Sequence, residues 1–258
     1  MGWTRTAYGN LYVVADGMGG YRGGALAAEL TVRTLREQLA PSSTDEAGFR
    51  EQVRQAFLAA NQVVYQRRRS DDPETRDMGA TGVALITWGA RILVGHVGDS
   101  RAYLWRRKGG LKHLTRDHTR MEGMVESGLV LPDQAAAHPD AGILDRAIGH
   151  LQTVEVEVGS WIDLNCGDMV LLCSDGLCGY VDDVEIAEVL STKSEPQTLA
   201  DKLVDCALSK GGEDNVTVQL VRFGDASWRS ISNLLGRPMV LILFSAAIAA
   251  VATWAAAV

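Results

Sequence analysis

The segment LYVVADGMGG, Leu11–Gly20, joins five apolar residues to an aspartate-glycine pair, Asp16-Gly17. An apolar run that stops on such a pair reads as a buried strand entering a loop. The same ending recurs far along the chain, where the run Met169–Ser174 meets Asp175-Gly176. Asp214-Asn215 stands at the head of a third apolar run, Val216–Phe223, and Asp99 lies in Gly98-Asp99-Ser100-Arg101 after a fourth, Arg91–Val97. One aspartate-glycine pair is an ordinary turn former. Several carboxylates at strand ends are a different matter, because strand ends of one sheet converge on one site. Carboxylate and carbonyl oxygens suit hard cations such as Mg²⁺ or Mn²⁺. Glycine beside a ligand lets the backbone bend and bring its carbonyl close.

Outward from these runs, apolar residues at helical spacing predict two long helices, Gly23–Leu39 and Glu46–Arg69. Short β-prone runs at Ala80–Trp88, Arg91–Val97 and Arg101–Arg107 predict an antiparallel meander. Residues 115–150 mix Gly, Pro, His and charges and read as an irregular or partly helical insert. Helices at Asp182–Leu190 and Pro196–Ser209 precede the closing strand Val216–Phe223. Strands grouped with strands and helices with helices make the class α+β.

The composition is globular: 258 residues, 47% hydrophobic and 22% charged. A net charge of -7 argues against nucleic acid as a general partner, which requires a positive surface. The four cysteines, Cys166, Cys173, Cys178 and Cys206, have no C-x-x-C spacing, so they do not form a zinc site and fit a reducing cytosol. Met239–Val258 carries no charge over twenty positions. As a helix it spans about 30 Å, the thickness of a bilayer core. Arg229 and Arg237 before it place the globular part in the cytoplasm. The expected organisation is a catalytic domain at 1–225, a juxtamembrane linker at 226–238 and one transmembrane helix at 239–258, anchored in the inner membrane.

Six blocks follow one another in order: VVADGMGG (Val13–Gly20), GATGVALI (Gly79–Ile86), VGHVGDSRAYLW (Val94–Trp105), LTRDHT (Leu114–Thr119), LLCSDGL (Leu171–Leu177) and EDNVTV (Glu213–Val218). In this the chain resembles the bacterial type 2C, or PPM-family, metal-dependent protein serine/threonine phosphatases. The resemblance implies a central β-sandwich of two antiparallel sheets flanked by helices, with two Mn²⁺ or Mg²⁺ ions at one end. It makes Asp16 the residue bridging both ions, gives the Gly17 carbonyl to the second ion, and assigns Asp175 and Asp214 to the first. Asp99, with Asp175, matches the holders of a weaker third ion. The implied reaction is hydrolysis of phosphoserine and phosphothreonine in proteins by a metal-activated water, opposing serine/threonine kinases. Met18 occupies the place where eukaryotic relatives carry a histidine proposed as general acid. The insert resembles the mobile flap of bacterial members. Within it His118 and His138 are candidates for a general acid but read better as packing or surface histidines; Arg101, before the insert, reads as packing near the site or pairing with a carboxylate rather than binding substrate.

One family feature is absent. The family opens with a strand carrying Arg-x-x-Asn-Glu-Asp, whose arginine binds the substrate phosphate, and residues 1–15 contain no such pattern. The sequence thus names no phosphate-binding residue, and Arg5 is not given that role. A misplaced start or a fragment is the expected reason. A catalytically impaired pseudophosphatase that binds phosphoproteins is the alternative, and a phosphatase of anti-sigma-factor antagonists is a more distant one.

Overall fold

The computed structural model describes residues 1–5, 9–40, 46–70, 72–135, 138–212 and 214–224. In chain order the elements are β1 (Gly2–Arg5), β2 (Asn10–Val14), β3 (Gly17–Met18), α1 (Tyr21–Leu39) and α2 (Glu46–Arg68). After a 3-10 turn at Pro73–Thr75 come β4 (Gly79–Ala80), β5 (Gly82–Trp88), β6 (Arg91–Val97), β7 (Arg101–Arg106) and β8 (Gly110–His113). The insert holds α3 (Arg120–Glu126) and α4 (Pro132–Ala135). Then follow β9 (Glu157–Val158), β10 (Ile162–Asp163), β11 (Met169–Cys173), α5 (Asp175–Cys178), α6 (Asp183–Ser191), α7 (Pro196–Ser209) and β12 (Val218–Arg222).

Two antiparallel sheets face each other. One has the order β1-β2-β5-β6-β10, with β9 also on β6; the other has the order β12-β11-β7-β8. Successive strand residues point to opposite faces, and here both faces are covered. Tyr12 and Val14 of β2 join Val83, Leu85, Val170, Leu172 and Val221 between the sheets. Leu11 and Val13, one residue out of phase, pack with Leu35, Leu39, Phe49 and Phe57 of α1 and α2. On the far side Leu171 and Leu220 pack with Leu199 and Leu203 of α7. The four layers are α-β-β-α, and strands buried on both faces explain why they read as unbroken apolar runs.

The α+β class and the sandwich are as expected, and the differences are local. A strand, β1, pairs antiparallel with β2 ahead of the run that opens the sheet in the sequence. The run Ala80–Trp88 is two strands, broken at Thr81, whose N–H leaves the ladder to donate to the Asp16 carbonyl at 2.8 Å. The closing strand starts at Val218 because Thr217 bonds to Ser174 instead. The helix expected from Asp182 starts on a capping box, with Asp182 accepting from the Glu185 N–H at 2.9 Å and Glu185 accepting in return at 3.2 Å. The linker 226–238 and the apolar segment 239–258 lie outside the described residues. Among the described residues no helix is long and apolar enough to cross a membrane.

Candidate metal centre and active site

The pairing registers bring four carboxylates to one rim of the sandwich. Val14 pairs with Val83 and Gly82 with Val97, so Asp16, after β2, and Asp99, after β6, leave the first sheet at the same end. Cys173 pairs with Val218 and with Arg101, which puts Asp175 at the corresponding end of the second sheet, with Asp214 just upstream of β12. Backbone bonds lock these ends together. Asp16 is held through both its N–H and its carbonyl by Thr81, whose hydroxyl is 2.6 Å from that of Ser100 beside Asp99. The Ser174 hydroxyl donates to the Asn215 carbonyl at 3.0 Å and accepts from the Thr217 N–H at 3.1 Å, tying Asp175 to Asp214-Asn215.

The acids are near enough for the carboxyl of Asp16 to feel the charges of the other three. The Asp16 carboxyl is pushed up from 3.8 to about 8, first by burial, then by the charge and contact of Asp175, then by Asp214 and Asp99. Asp99 rises to about 7, by burial and by the charges of Asp175 and Asp117. Asp16 Oδ2 and Asp175 Oδ1 are buried and accept no hydrogen bond among the described residues. Two carboxylates in contact are both acceptors, so neither satisfies the other unless they share a proton. Divalent cations satisfy both at once, and the all-oxygen donor set is the one Mg²⁺ and Mn²⁺ prefer. The residues therefore fit the metals that the sequence implies.

Burial, with this repulsion added, sets a pH dependence. Because both carboxyls titrate above their unfolded values, the metal-free folded chain holds protons between about pH 4 and pH 8 that the unfolded chain releases. Its stability is full below pH 4 and falls as pH rises through 7 to 8. Thermal melts of EDTA-treated protein should give a Tm several degrees lower at pH 8 than at pH 5, with Mn²⁺ raising it most at pH 8. A flat profile without metal would count against the cluster.

Around the acids, Arg101 donates from Nε to Asp117 Oδ1 at 2.9 Å and from Nη2 to Asp117 Oδ2 at 2.7 Å, while Nη1 donates to the Tyr103 hydroxyl. The guanidinium is thus committed to a carboxylate, as the sequence reading expects, and that reading missed only its partner. Asp117 stood in the LTRDHT block, and a bidentate arginine-carboxylate contact between distant residues leaves no spacing signal. His138 is exposed, whereas His118 is buried and stacks on His96 with ring centroids 4.4 Å apart. His96, His118 and Glu157 place possible ligand atoms within 4.8 Å of one another. The tautomers oppose a metal there. The Gly98 N–H donates to His118 Nδ1 at 3.2 Å, so the proton of the neutral ring sits on Nε2, 3.3 Å from Glu157 Oε2. His96 Nε2 donates to the Arg116 carbonyl at 2.7 Å. A cation would have to displace the His118 proton from its Glu157 acceptor.

Comparison with known proteins agrees with this architecture. Residues 1–220 match the family model for protein phosphatase 2C. A serine/threonine phosphatase of Listeria monocytogenes is 35% identical over 215 residues, covering 82% of this chain and 83% of that protein. The solved serine/threonine phosphatase of S. agalactiae superposes with a TM-score of 0.79 at 32% identity, covering 85% and 90% of the two chains. The catalytic domain of the phosphatase PstP, solved with two manganese ions, gives a TM-score of 0.71 at 32% identity, covering 86% and 91%. A helix-flanked sandwich with anionic strand ends at one rim is the architecture of the metal-dependent protein phosphatases. The chain belongs to the protein phosphatase 2C family, in its bacterial PPM branch. It is a serine/threonine protein phosphatase, a hydrolase of phosphoric monoesters.

Proposed function

We propose that Asp16, the Gly17 carbonyl, Asp175 and Asp214 hold two Mn²⁺ or Mg²⁺ ions, and that Asp99 with Asp175 receives a third, weaker one. The observation that carries this is the pair of buried, unsatisfied oxygens, Asp16 Oδ2 and Asp175 Oδ1. When bound, such ions supply Lewis acidity that lowers the pKa of water and offsets charge on the phosphoryl oxygens. The chain's own part is placement. Asp16 and Asp175 come from facing sheets, so the ion positions are fixed by the rigid pairing of β2 with β5 and of β11 with β12. Arg101 is engaged with Asp117 and is not the phosphate clamp. Met18 cannot donate a proton, so the serine or threonine leaving group takes its proton from another source. The test is release of phosphate from a phosphothreonine peptide. It should need Mn²⁺ or Mg²⁺ and stop with EDTA, and binding of the peptide without any turnover would favour the pseudophosphatase reading.

The substrates fitting this activity are phosphoproteins, and we place the enzyme opposite a bacterial serine/threonine kinase. We also assign the uncharged run 239–258 as a single-pass anchor in the inner membrane, with the catalytic domain in the cytoplasm; the support is the run's length and the preceding Arg229 and Arg237. The full chain should pellet with membranes and resist carbonate extraction, whereas a chain ending at residue 238 should stay in the supernatant. Release of the full chain by carbonate would remove the anchor.

A further inference from the structure

We propose that His118 is a positioning residue that sets the place of Asp99 through the backbone of Gly98. Asp99 sits in a tight turn between β6 and β7, entered at Gly98 with φ +100. Gly98 and His118 exchange two hydrogen bonds: the Gly98 N–H donates to His118 Nδ1 at 3.2 Å, and the His118 N–H donates to the Gly98 carbonyl at 3.0 Å. On the other side of Asp99, Arg101 is gripped by Asp117. Consecutive residues, Asp117 and His118, therefore hold the turn from both flanks. The turn has little freedom in the third direction, since a Cβ on Gly98 would lie 2.6 Å from Thr81 Cβ.

The imidazole has the right state for this task. Burial lowers its pKa to about 4, so the ring is neutral and its Nδ1 lone pair is available to the Gly98 N–H. Nε2–H faces Glu157, and stacking on His96 fixes the ring plane. The backbone of His118 also carries the insert, because its carbonyl accepts from the Asp145 N–H at 2.8 Å. One residue thus links the seating of the segment after Thr119 to the carboxylate of Asp99. This assigns His118 no role as a general acid.

The inference rests on the reading of Asp99 as an ion ligand, and the experiment separates the two. Mn²⁺ is titrated calorimetrically into the metal-stripped full chain carrying His118→Ala, His118→Asn or Asp99→Asn, alongside kcat, KM and melting temperature. Asparagine offers Oδ1 where the histidine offers Nδ1. The weakest Mn²⁺ event should weaken about tenfold or more in H118A with the tighter events within about twofold, and H118N should recover to within about threefold of wild type. Turnover by H118A should return at high Mn²⁺ with KM for peptide unchanged. Wild-type Mn²⁺ binding by H118A, equal weakening of every event, or an H118N as weak as H118A overturns the role of His118 while D99N still loses the weak event. A D99N that keeps every event overturns the Asp99 reading and the inference with it. Should H118A melt below the assay temperature, His118→Gln, which moves the acceptor by one methylene, takes its place under the same criteria.

Discussion

Asp175→Asn should lower kcat/KM on a phosphothreonine peptide by about 10³-fold or more, a loss of roughly 4 kcal/mol of transition-state stabilisation. Asp175 lies at the contact between the two sheets' carboxylates, and one of its oxygens is buried with nothing else to bind. An amide keeps the shape and removes the charge that would balance a divalent ion. The same substitution has the opposite effect on the metal-free fold. Asp16 is pushed up to about 8 in part by the charge of Asp175, so neutralising Asp175 relieves a repulsion that burial makes expensive. Metal-free D175N should therefore melt above metal-free wild type at pH 8 while its turnover is lost. Phosphate release and calorimetric melting of the same samples check both halves. Activity above a tenth of wild type would remove Asp175 from the catalytic set.

Gly17→Ala is the second large effect. The φ of Gly17 is not positive, so the constraint is space rather than backbone strain. A Cβ there would lie 1.9 Å from the Gly24 carbonyl oxygen and 2.3 Å from its carbon. Those atoms are backbone in the first turns of α1 and cannot rotate aside. Overpacking of this kind costs about 1–3 kcal/mol. A shift of an ångström in the Gly17 carbonyl is enough to cost about 10²-fold in rate where reacting groups must be held in register. Gly20→Ala is the contrast: φ is +80 and no atom lies within 4 Å, so only local strain is introduced. G17A should lose Tm and activity together, and G20A, forced into a φ/ψ region that only glycine adopts readily, should lose about 1–3 kcal/mol of stability with activity close to wild type. Equal activities of G17A and wild type would show that the carbonyl is not a ligand.

The sandwich was legible because its strands are buried on both faces, and the runs at Leu11 and Met169 therefore stood out without any alternation to interpret. The acidic rim was legible for a related reason: Asp16, Asp99 and Asp175 each follow directly on such a run. What escaped was whatever depends on partners distant in sequence. The break at Thr81 exists because its N–H serves Asp16, sixty-five residues away. The role of Asp117 exists only because Arg101 meets it, and the neutral stacked pair His96–His118 only because β6 lies beside residues 116–118. The two-residue strands β3, β4, β9 and β10 are too short for any periodicity to register. The apolar run Met169–Ser174 predicts a loop at Asp175, whereas this residue opens the short helix α5, whose four residues carry no helical repeat.

The direction of β12 has a mechanical consequence. The strand starts beside Asp214 and ends at Arg222, and Phe223 then accepts a bond from Gly167 at the opposite rim. Gly224 therefore lies at the end of β12 remote from Asp214, a strand length of roughly 17 Å from the acidic rim. Any pull or steric load applied through the tail is borne by the rear edge of β12. Gly224 and the acidic rim thus stand at opposite ends of one short strand, which keeps the rim clear of the point where the described chain stops.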